Sequence, residues 1–497
     1  MAREETSSVV VVSTASELKQ LLGKDPDPRP APDTPPDRAV ISEHEVMIAG
    51  QRVPYTATCG TLPVRLDDRD KPKEHMFYTA YVRSDVEERH RRPLTFCFNG
   101  GPGSSSVWLH MGCFGPRRVR VDVDARPRPP ARAEDHPHSL LDVTDLVFVD
   151  PVGTGFSRPE HDAGKDYHEV EGDVQAMAEF IRRYVTAHAR WESPKFVAGE
   201  SYGTTRAAAL ATHLQERHGL FLNGLILLSV ALQFQTLEFD EGNDLPYALY
   251  LPAYAMIAAY HGRIEADDLD ALRLEVEAFS LERYTPALMR GSRLSEADAA
   301  QLAEELARFT GLDADFVRRC NHRIHLGRFC RELLRDSRET VGRLDARFTG
   351  HGADAAGESL ERDPSMAALF SAYTPAFLHD LRTRLGYGDD ESYELLSSKT
   401  HEAWRWSRDN RYLDVTGALR AAMIDNPHLG VFVASGLYDL ATPYWATEHT
   451  LSHLGLEPAT RAHITHVLYP AGHMMYIHEP SMEALRGDLL RFYEAWS

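Results

Sequence analysis

A serine lies between two glycines in the stretch Gly-Glu-Ser-Tyr-Gly at residues 199–203. A short apolar run at 196–198 precedes it, and an alanine-rich run at 204–211, typical of a helix, follows it. This pattern predicts a nucleophile elbow, a tight strand-to-helix turn that exposes the hydroxyl of Ser201. Glycines are needed because the turn leaves no room for a Cβ atom beside a strained serine. The start of the helix also directs backbone N–H groups at the place where an oxyanion would form.

A serine hydroxyl is a weak nucleophile at its ordinary pKa, so Ser201 needs a base and a group that orients the base. Asp439 and His473 are the candidates, because each follows a predicted strand, at residues 431–434 and 464–469. His473 would take the proton, and Asp439 would hold the imidazole in the required tautomer and stabilise its charged form. The chain has 24 histidines, and the Pro-Ala-Gly turn after a strand distinguishes His473 from the others. The sequence therefore predicts a Ser201–Asp439–His473 triad.

A glycine-rich loop, Asn-Gly-Gly-Pro-Gly-Ser-Ser-Ser at residues 99–106, follows the predicted strand at 94–98. It lacks the lysine and the spacing of a phosphate-binding loop. In a hydrolase with a nucleophile elbow, a loop at this place supplies one N–H of the oxyanion hole. Gly101 is the predicted donor, and Tyr202 is the second because its N–H follows the nucleophile.

The elements that must position these residues follow from the pattern of apolar runs. Such runs, several of them ending in glycine or an acidic residue, alternate with helical stretches such as 170–187 and 204–217. This alternation predicts an α/β fold with a mostly parallel central sheet and helices on both faces. Residues 240–400 are rich in Ala, Leu, Glu and Arg at helical spacing. We expect a flexible proline-rich arm (1–39), a catalytic core (40–239 and 401–497) and a mainly helical cap insertion (240–400).

Composition limits the partners of the chain. Its formal net charge of −20 over 497 residues disfavours nucleic acid and anionic membrane surfaces. We find no apolar run of membrane-spanning length and no signal-peptide pattern at the start. Five cysteines without a Cys-x-x-Cys pair favour the reducing cytoplasm and argue against structural zinc. We expect a cytoplasmic protein with no cofactor, no metal and no membrane partner, and leave open whether it is a monomer or a homodimer.

Four motifs, at residues 99–105, 150–157, 199–203 and 471–473, resemble those of the serine carboxypeptidase family in order and placement. The resemblance extends from about residue 75 to the C-terminus and is to a bacterial-like member without a signal peptide. It implies an α/β-hydrolase fold, in which the triad follows the chain order Ser, Asp, His. It also implies hydrolysis of peptides with a free C-terminus through an acyl-enzyme, with Asn99, Gly100 and Glu200 binding the terminal carboxylate.

One departure from the family pattern concerns the partner acid of Glu200. The family places it before a Gly-Pro turn, here residues 115–116, and this chain has Cys113 at that position. His110 and Arg117 are the candidates to replace it, and the change predicts a weaker preference for acidic pH.

Two other functions stay open. An esterase or acyltransferase fits the same scaffold, because water or another nucleophile can resolve an acyl-enzyme. A binding protein built on an inactive hydrolase is the non-enzymatic alternative, and the presence of every triad residue argues against it.

Overall fold

The computed structural model describes residues 39–65, 74–121, 123, 128–159, 166–358, 360, 362–388, 391–406 and 410–497. The proline-rich arm expected at residues 1–39 lies outside the described residues, apart from Ala39, which begins the first strand.

The described residues form fourteen β-strands. They are β1 (Ala39–Ile48), β2 (Gln51–Val64), β3 (Glu74–Arg83), β4 (Leu94–Phe98), β5 (Arg117–Val119), β6 (Ala133–Asp135), β7 (Asp145–Val149), β8 (Arg158–Pro159), β9 (Lys195–Ser201), β10 (Gly224–Val230), β11 (Glu339–Val341), β12 (Thr349–His351), β13 (Gly430–Gly436) and β14 (Ile464–Tyr469).

The central sheet has the order β1-β2-β3-β7-β4-β9-β10-β13-β14, with β8 paired to β3. From β7 to β14 all neighbours run parallel, whereas β1, β2 and β3 form an antiparallel edge that joins β7 antiparallel. The mostly parallel sheet predicted from the sequence is confirmed. Because the carboxyl ends of parallel strands meet at one edge, the segments after β4, β9, β13 and β14 come together there.

Side chains of the parallel strands alternate between two apolar cores, one on each face of the sheet. In β9, Val197 faces one core, while Phe196 and Ala198 face the other. Strand β13 repeats the pattern with Val431 and Phe432. Each fully buried side chain of this kind stabilises the fold by about 1.5–3 kcal/mol. A strand with apolar side chains on both faces gains this stabilisation in full only where helices cover both faces of the sheet.

Fourteen α-helices are present among the described residues. They are α1 (Val170–Ala187), α2 (Tyr202–His218), α3 (Leu245–Tyr260), α4 (Leu269–Phe279), α5 (Thr285–Arg290), α6 (Glu296–Thr310), α7 (Ala314–Arg319), α8 (Leu326–Glu332), α9 (Pro364–Thr383), α10 (Ser398–Ala403), α11 (Thr416–Asp425), α12 (Tyr444–Ser452), α13 (Pro458–Arg461) and α14 (Glu479–Trp496).

Helices cover both faces of the sheet, as predicted. Helices α1 and α2 contribute to one core, and α14 contributes to the other, together with a π-helical turn, Leu109–Phe114. Residues 240–400, which we call the cap, contain helices α3 to α9 and the short hairpin β11–β12. Helix α3 is apolar around most of its circumference, and its buried side chains belong to the same core as α1 and α2. The cap is therefore packed into the body of the molecule.

Candidate active site

The elbow residue Ser201 ends β9, and α2 begins at the next residue. Its backbone lies at φ 60° and ψ −129°, a strained conformation for a residue other than glycine. A Cβ atom on Gly199 would come within 2.3 Å of the carbonyl oxygen of Gly203, and one on Gly203 within 2.9 Å of the carbonyl oxygen of Phe98. Both positions therefore require glycine for the turn to close.

His473 and Asp439 lie together at the carboxyl edge of the sheet. The Nδ1 atom of His473 is 2.7 Å from Oδ2 of Asp439, and both side chains are buried. The same carboxylate oxygen accepts a hydrogen bond from the hydroxyl of Thr442 (2.7 Å), and Oδ1 accepts from the backbone N–H groups of Ala441 and Thr442 (2.7 and 3.1 Å). With its acceptors occupied in this way, the carboxylate is fixed against the imidazole and can hold it in one tautomer.

The environment of His473 favours a base that gains a proton readily. Burial disfavours the charged imidazolium, but the adjacent Asp439 carboxylate and its hydrogen bond raise the pKa of His473 above its ordinary value. This is the electrostatic arrangement that a general base acting on a serine hydroxyl needs. Ser201 and His473 line the same cavity.

The glycine-rich loop is packed directly on the elbow. A Cβ atom on Gly100 would lie 2.4 Å from the backbone nitrogen of Tyr202, so the two backbones are in contact. Gly101 has φ +102°, which favours glycine, and it lines the cavity with Ser201. The two predicted oxyanion donors, Gly101 and Tyr202, thus belong to adjoining segments beside the nucleophile.

Asp150 holds the far end of this loop, a role that sequence reasoning did not assign. Its Oδ1 atom accepts hydrogen bonds from the N–H and the hydroxyl of Ser106 (2.9 and 2.8 Å) and from the hydroxyl of Tyr393 in the cap (3.2 Å). A Cβ atom on Gly155 would lie 1.7 Å from the other carboxylate oxygen. The Asp-Pro-Val-Gly-Thr-Gly motif at residues 150–155 therefore holds one end of the glycine-rich loop through Asp150.

A buried ion pair supports the loop from below. The Nε atom of Arg206 donates to Oδ2 of Asp173 (2.8 Å), and its Nη1 donates to the carbonyl oxygen of Asn99 (2.7 Å). The guanidinium also lies over the rings of Phe98 and Tyr202, at 5.0 and 5.4 Å from their centroids. Sequence reasoning missed both charged residues, because each lies in a helix with no local motif.

Asn99 and Glu200 form a buried polar pair in the cavity. The Oδ1 atom of Asn99 accepts from the N–H of Leu109 (3.0 Å), which leaves its NH2 group to hydrogen-bond the Glu200 carboxyl. Burial raises the pKa of Glu200 to about 7, while the His473 charge and the hydrogen bonds to the carboxyl act in the opposite direction. Near neutral pH this side chain therefore exists in both its acid and its ionised form, and the acid form is a hydrogen-bond donor.

The partner of Glu200 is Tyr476, whose hydroxyl donates to Oε2 at 2.6 Å. Cys113 is also buried near Glu200, which helps to raise the pKa of its thiol. The two candidates from the sequence do not replace the missing acid. The ring of His110 bonds the hydroxyl of Tyr81 (2.7 Å), and burial lowers its pKa to about 3. Arg117 pairs instead with two aspartates, Asp135 and Asp380.

Tyr476 follows His473 by three residues, in a short 3-10 turn, Met475–Ile477. Its proximity in sequence to His473 is the one signal that could have identified it. That signal does not say which way the side chain points, because the turn itself sets the direction.

The cavity is open to solvent on one side and contains about 570 Å³ of empty space, which includes that open part. Asn99, Gly100, Gly101, Glu200, Ser201 and His473 line it from the core side. The cap side contributes Arg343, Leu344, Met366, Leu369 and Leu396. Seven of the eight predicted site residues thus meet at the cavity or at the elbow beside it, and Asp439 lies behind His473.

Two features are absent from the described part of the chain. No group of three or more His, Cys, Asp or Glu side chains there could hold a metal ion. No helix in it is long and apolar enough to cross a membrane.

Several known proteins are similar to this chain. A family model described as serine carboxypeptidase matches residues 64–467. Serine carboxypeptidase-like 36 of Arabidopsis thaliana is 22% identical over 392 residues, which cover 76% of this chain and 67% of that protein. Serine carboxypeptidase-like 5 of the same plant is 28% identical over 152 residues, 29% of this chain and one third (33%) of that relative.

A solved structure supports the fold. The prohormone-processing carboxypeptidase Kex1(delta)p from Saccharomyces cerevisiae superimposes with a TM-score of 0.56 at 15% identity, covering 88% of this chain and 91% of that one. At this identity the likeness establishes an α/β-hydrolase fold and nothing further.

Proposed function

The chain belongs to the serine carboxypeptidase family, and on this premise we propose that it removes C-terminal residues from peptides through an acyl-enzyme formed on Ser201. His473 takes the hydroxyl proton as Ser201 attacks the scissile carbonyl carbon. The N–H groups of Gly101 and Tyr202 stabilise the oxyanion that forms. His473 then gives the proton to the leaving amine, and a water molecule, activated by the same histidine, hydrolyses the ester.

The observation that carries the proposal is the buried Glu200–Asn99 pair beside the nucleophile. In its acid form the O–H group of Glu200 donates a hydrogen bond to a terminal carboxylate, and the side-chain amide of Asn99 is the neutral donor next to it. Hydrolysis of an ester without a free carboxylate does not require a protonated carboxyl in the binding cavity. The pair is therefore best explained by recognition of a free C-terminus, with Gly100 in the wall of the same cavity.

The test compares blocked dipeptides that end in a free acid with the same dipeptides amidated, and with a simple ester. We expect the wild-type enzyme to favour the free acid in kcat/KM. Asn99→Ala and Glu200→Ala should each raise the activation free energy for free acids by about 1–3 kcal/mol more than for the ester, because one hydrogen bond to a charged group is lost.

Ser201→Ala is the control for background hydrolysis. If both variants lose acid, amide and ester turnover in equal proportion, these residues do not bind carboxylate. The esterase or acyltransferase assignment would then replace the peptidase.

Location and assembly are proposals as well. No disulfide joins the five cysteines, which supports a reducing compartment such as the cytoplasm; they are Cys59, Cys97, Cys113, Cys320 and Cys330. Cell fractionation tests the location, and light scattering at several protein concentrations distinguishes a monomer from a homodimer.

A further inference from the structure

One loop of the cap, residues 342–348, joins β11 to β12 and reaches the catalytic centre; we call it the cap loop. Its backbone is hydrogen-bonded to both segments that carry the triad. The N–H of Leu440 donates to the carbonyl oxygen of Arg343 (3.0 Å), and the N–H of His473 donates to that of Leu344 (2.6 Å). In the opposite direction, the N–H of Ala346 donates to the carbonyl oxygen of Tyr438 (3.0 Å).

A carboxylate of the cap fixes the same loop from the other side. The Oδ2 atom of Asp363 accepts from the N–H groups of Arg343 and Leu344, at 3.2 and 3.4 Å. The backbone of Arg343 is thus held at both its N–H and its carbonyl oxygen. Because this backbone is fixed and Arg343 lines the cavity, only its side-chain torsions have to be ordered when it binds a ligand.

Arg343 is the one lysine or arginine among the described residues that line the cavity. Its side chain is buried, and its neighbours in the cap wall, Leu344, Met366 and Leu369, are apolar. The guanidinium charge acts on His473, whose pKa it lowers against the stronger effect of Asp439. The positive charge of Arg343 therefore acts on the imidazole of His473.

An arginine in an apolar cavity is suited to one class of ligand group. The planar guanidinium has five N–H donors, so it can keep a contact within the protein and still form two bonds with a carboxylate. Charge-assisted bonds of this kind are strong where water is excluded. A peptide at its cleavage site carries carboxylates of two kinds, the terminal α-carboxylate and the side chain of aspartate or glutamate.

We propose that Arg343 is a specificity-determining residue that binds a carboxylate of the substrate in this cavity. The proposal deepens the function proposed above and rests on it for the class of substrate, a peptide cleaved near its C-terminus. The cap thereby contributes a charged contact to a site whose other carboxylate-binding groups come from the core.

The experiment measures kcat/KM for wild type and for Arg343→Gln and Arg343→Lys with two substrate pairs. One pair differs only at the C-terminus, free acid against amide. The other differs only in a side chain at the cleavage site, glutamate against glutamine. We expect Arg343→Gln to reduce the preference for the carboxylate in one pair by roughly ten- to a hundred-fold, and Arg343→Lys to reduce it less.

The pair that responds identifies the source of the carboxylate. Arg308→Gln, on the exposed face of the cap, is the matched loss of charge and should leave both preferences as they are. Labelling of Ser201 by an organophosphate shows that each variant has folded. Equal losses on all four peptides in folded, labelled variants, or no change on any, would overturn the proposal.

A third pair separates this proposal from the proposed peptidase function. Nitrophenyl hemisuccinate and nitrophenyl butyrate differ by a carboxylate but contain no peptide bond. If the wild type cleaves no peptide, the peptidase function fails. A selective loss on the hemisuccinate in Arg343→Gln would still establish carboxylate binding, and no selective loss would refute it.

Discussion

At the residue scale, Glu200 and His473 make pH a direct probe of the site. Their side chains interact, so the apparent pKa values in a kinetic pH profile belong to the pair and not to either residue alone. His473 must be neutral to act as base, and its pKa lies above the ordinary 6.5. Activity on every substrate should therefore rise with pH through this value.

Free-acid substrates should also lose activity on the alkaline side, which esters should not. Burial places the pKa of Glu200 at about 7. Above it the ionised carboxylate can no longer donate, and it repels the substrate carboxylate. We expect a narrow bell for free acids and a plateau for esters when kcat/KM is measured from pH 5 to 9. Glu200→Gln, which has no titrating group there, should show no alkaline fall.

Tyr476→Phe is an independent test of whether Glu200 causes the alkaline loss of activity. The tyrosine hydroxyl donates to Oε2 of Glu200 and stabilises its ionised form, so removing it should raise the pKa of Glu200. The alkaline limb for free acids should move to higher pH while the ester profile stays in place. A shift to lower pH, or an equal shift for esters, would contradict the assigned pairing.

Ser201 should be the one site of covalent modification by a serine-directed organophosphate. We expect an activated hydroxyl at this position, because Ser201 lies at the elbow and lines the cavity together with His473. Ser201→Ala should remove labelling and reduce turnover on the order of a million-fold. Mass spectrometry of the labelled peptide locates the adduct, and an adduct on another serine would refute the assignment.

The residues predicted from the sequence are those that belong to local motifs. Ser201, Gly101 and Asn99 each lie in a glycine-rich stretch whose backbone needs are visible in the residue types. Tyr476, Arg206 and Asp173 act through contacts between segments far apart in the chain, such as the 33 residues that separate Asp173 from Arg206. No local pattern encodes a contact of that kind.

At the element scale, Asp363 joins the cap loop to helix α9. As the residue before the helix, it accepts from the N–H of Ser365 with Oδ1 (2.9 Å), and with Oδ2 it holds the cap loop. Asp363→Ala should lower the free energy of unfolding by about 2–4 kcal/mol, because a helix cap is lost and buried N–H groups lose their acceptor.

Asp363→Ala should also lower kcat/KM, since the loop it releases contacts both triad segments. Ser295→Ala is the matched control. It removes the cap of α6 at the surface, where Ser295 Oγ accepts from the N–H of Asp298, and should cost about 1 kcal/mol with kinetics unchanged. Thermal unfolding and steady-state kinetics on the two variants make the comparison. Unchanged kinetics in folded Asp363→Ala would show that the loop does not support the site.

The sheet was predictable because its strands are short apolar runs followed by turn residues, as at Val431 to Gly436. The packing of the cap was not. The composition of α3 predicts a helix, but only its neighbours determine that most of its side chains are buried in the core on one face of the sheet. The cap boundaries at 240 and 400 stay a prediction.

At the scale of the whole molecule, stability should not depend on redox conditions. All five cysteines are buried and none forms a disulfide. Burial raises the pKa of Cys59 to about 12 and those of Cys97 and Cys113 well above the ordinary value. A thiol reagent at pH 8 should modify none of these three before unfolding, since the thiolate is the reactive form. The unfolding temperature should be equal with and without reductant, and a fall on reduction would reveal a disulfide.

The hydrogen bonds of the cap loop have a consequence for how the molecule moves. The backbone protons of Leu440 and His473 are shielded by carbonyl groups that belong to the cap. They can exchange with deuterium only when the cap loop separates from the catalytic segments. The exchange rates of these two amides therefore report on separation of the cap loop. NMR, or mass spectrometry of short peptides, can measure them. Both rates should rise together in Asp363→Ala, while the amides at the centre of β9 stay protected.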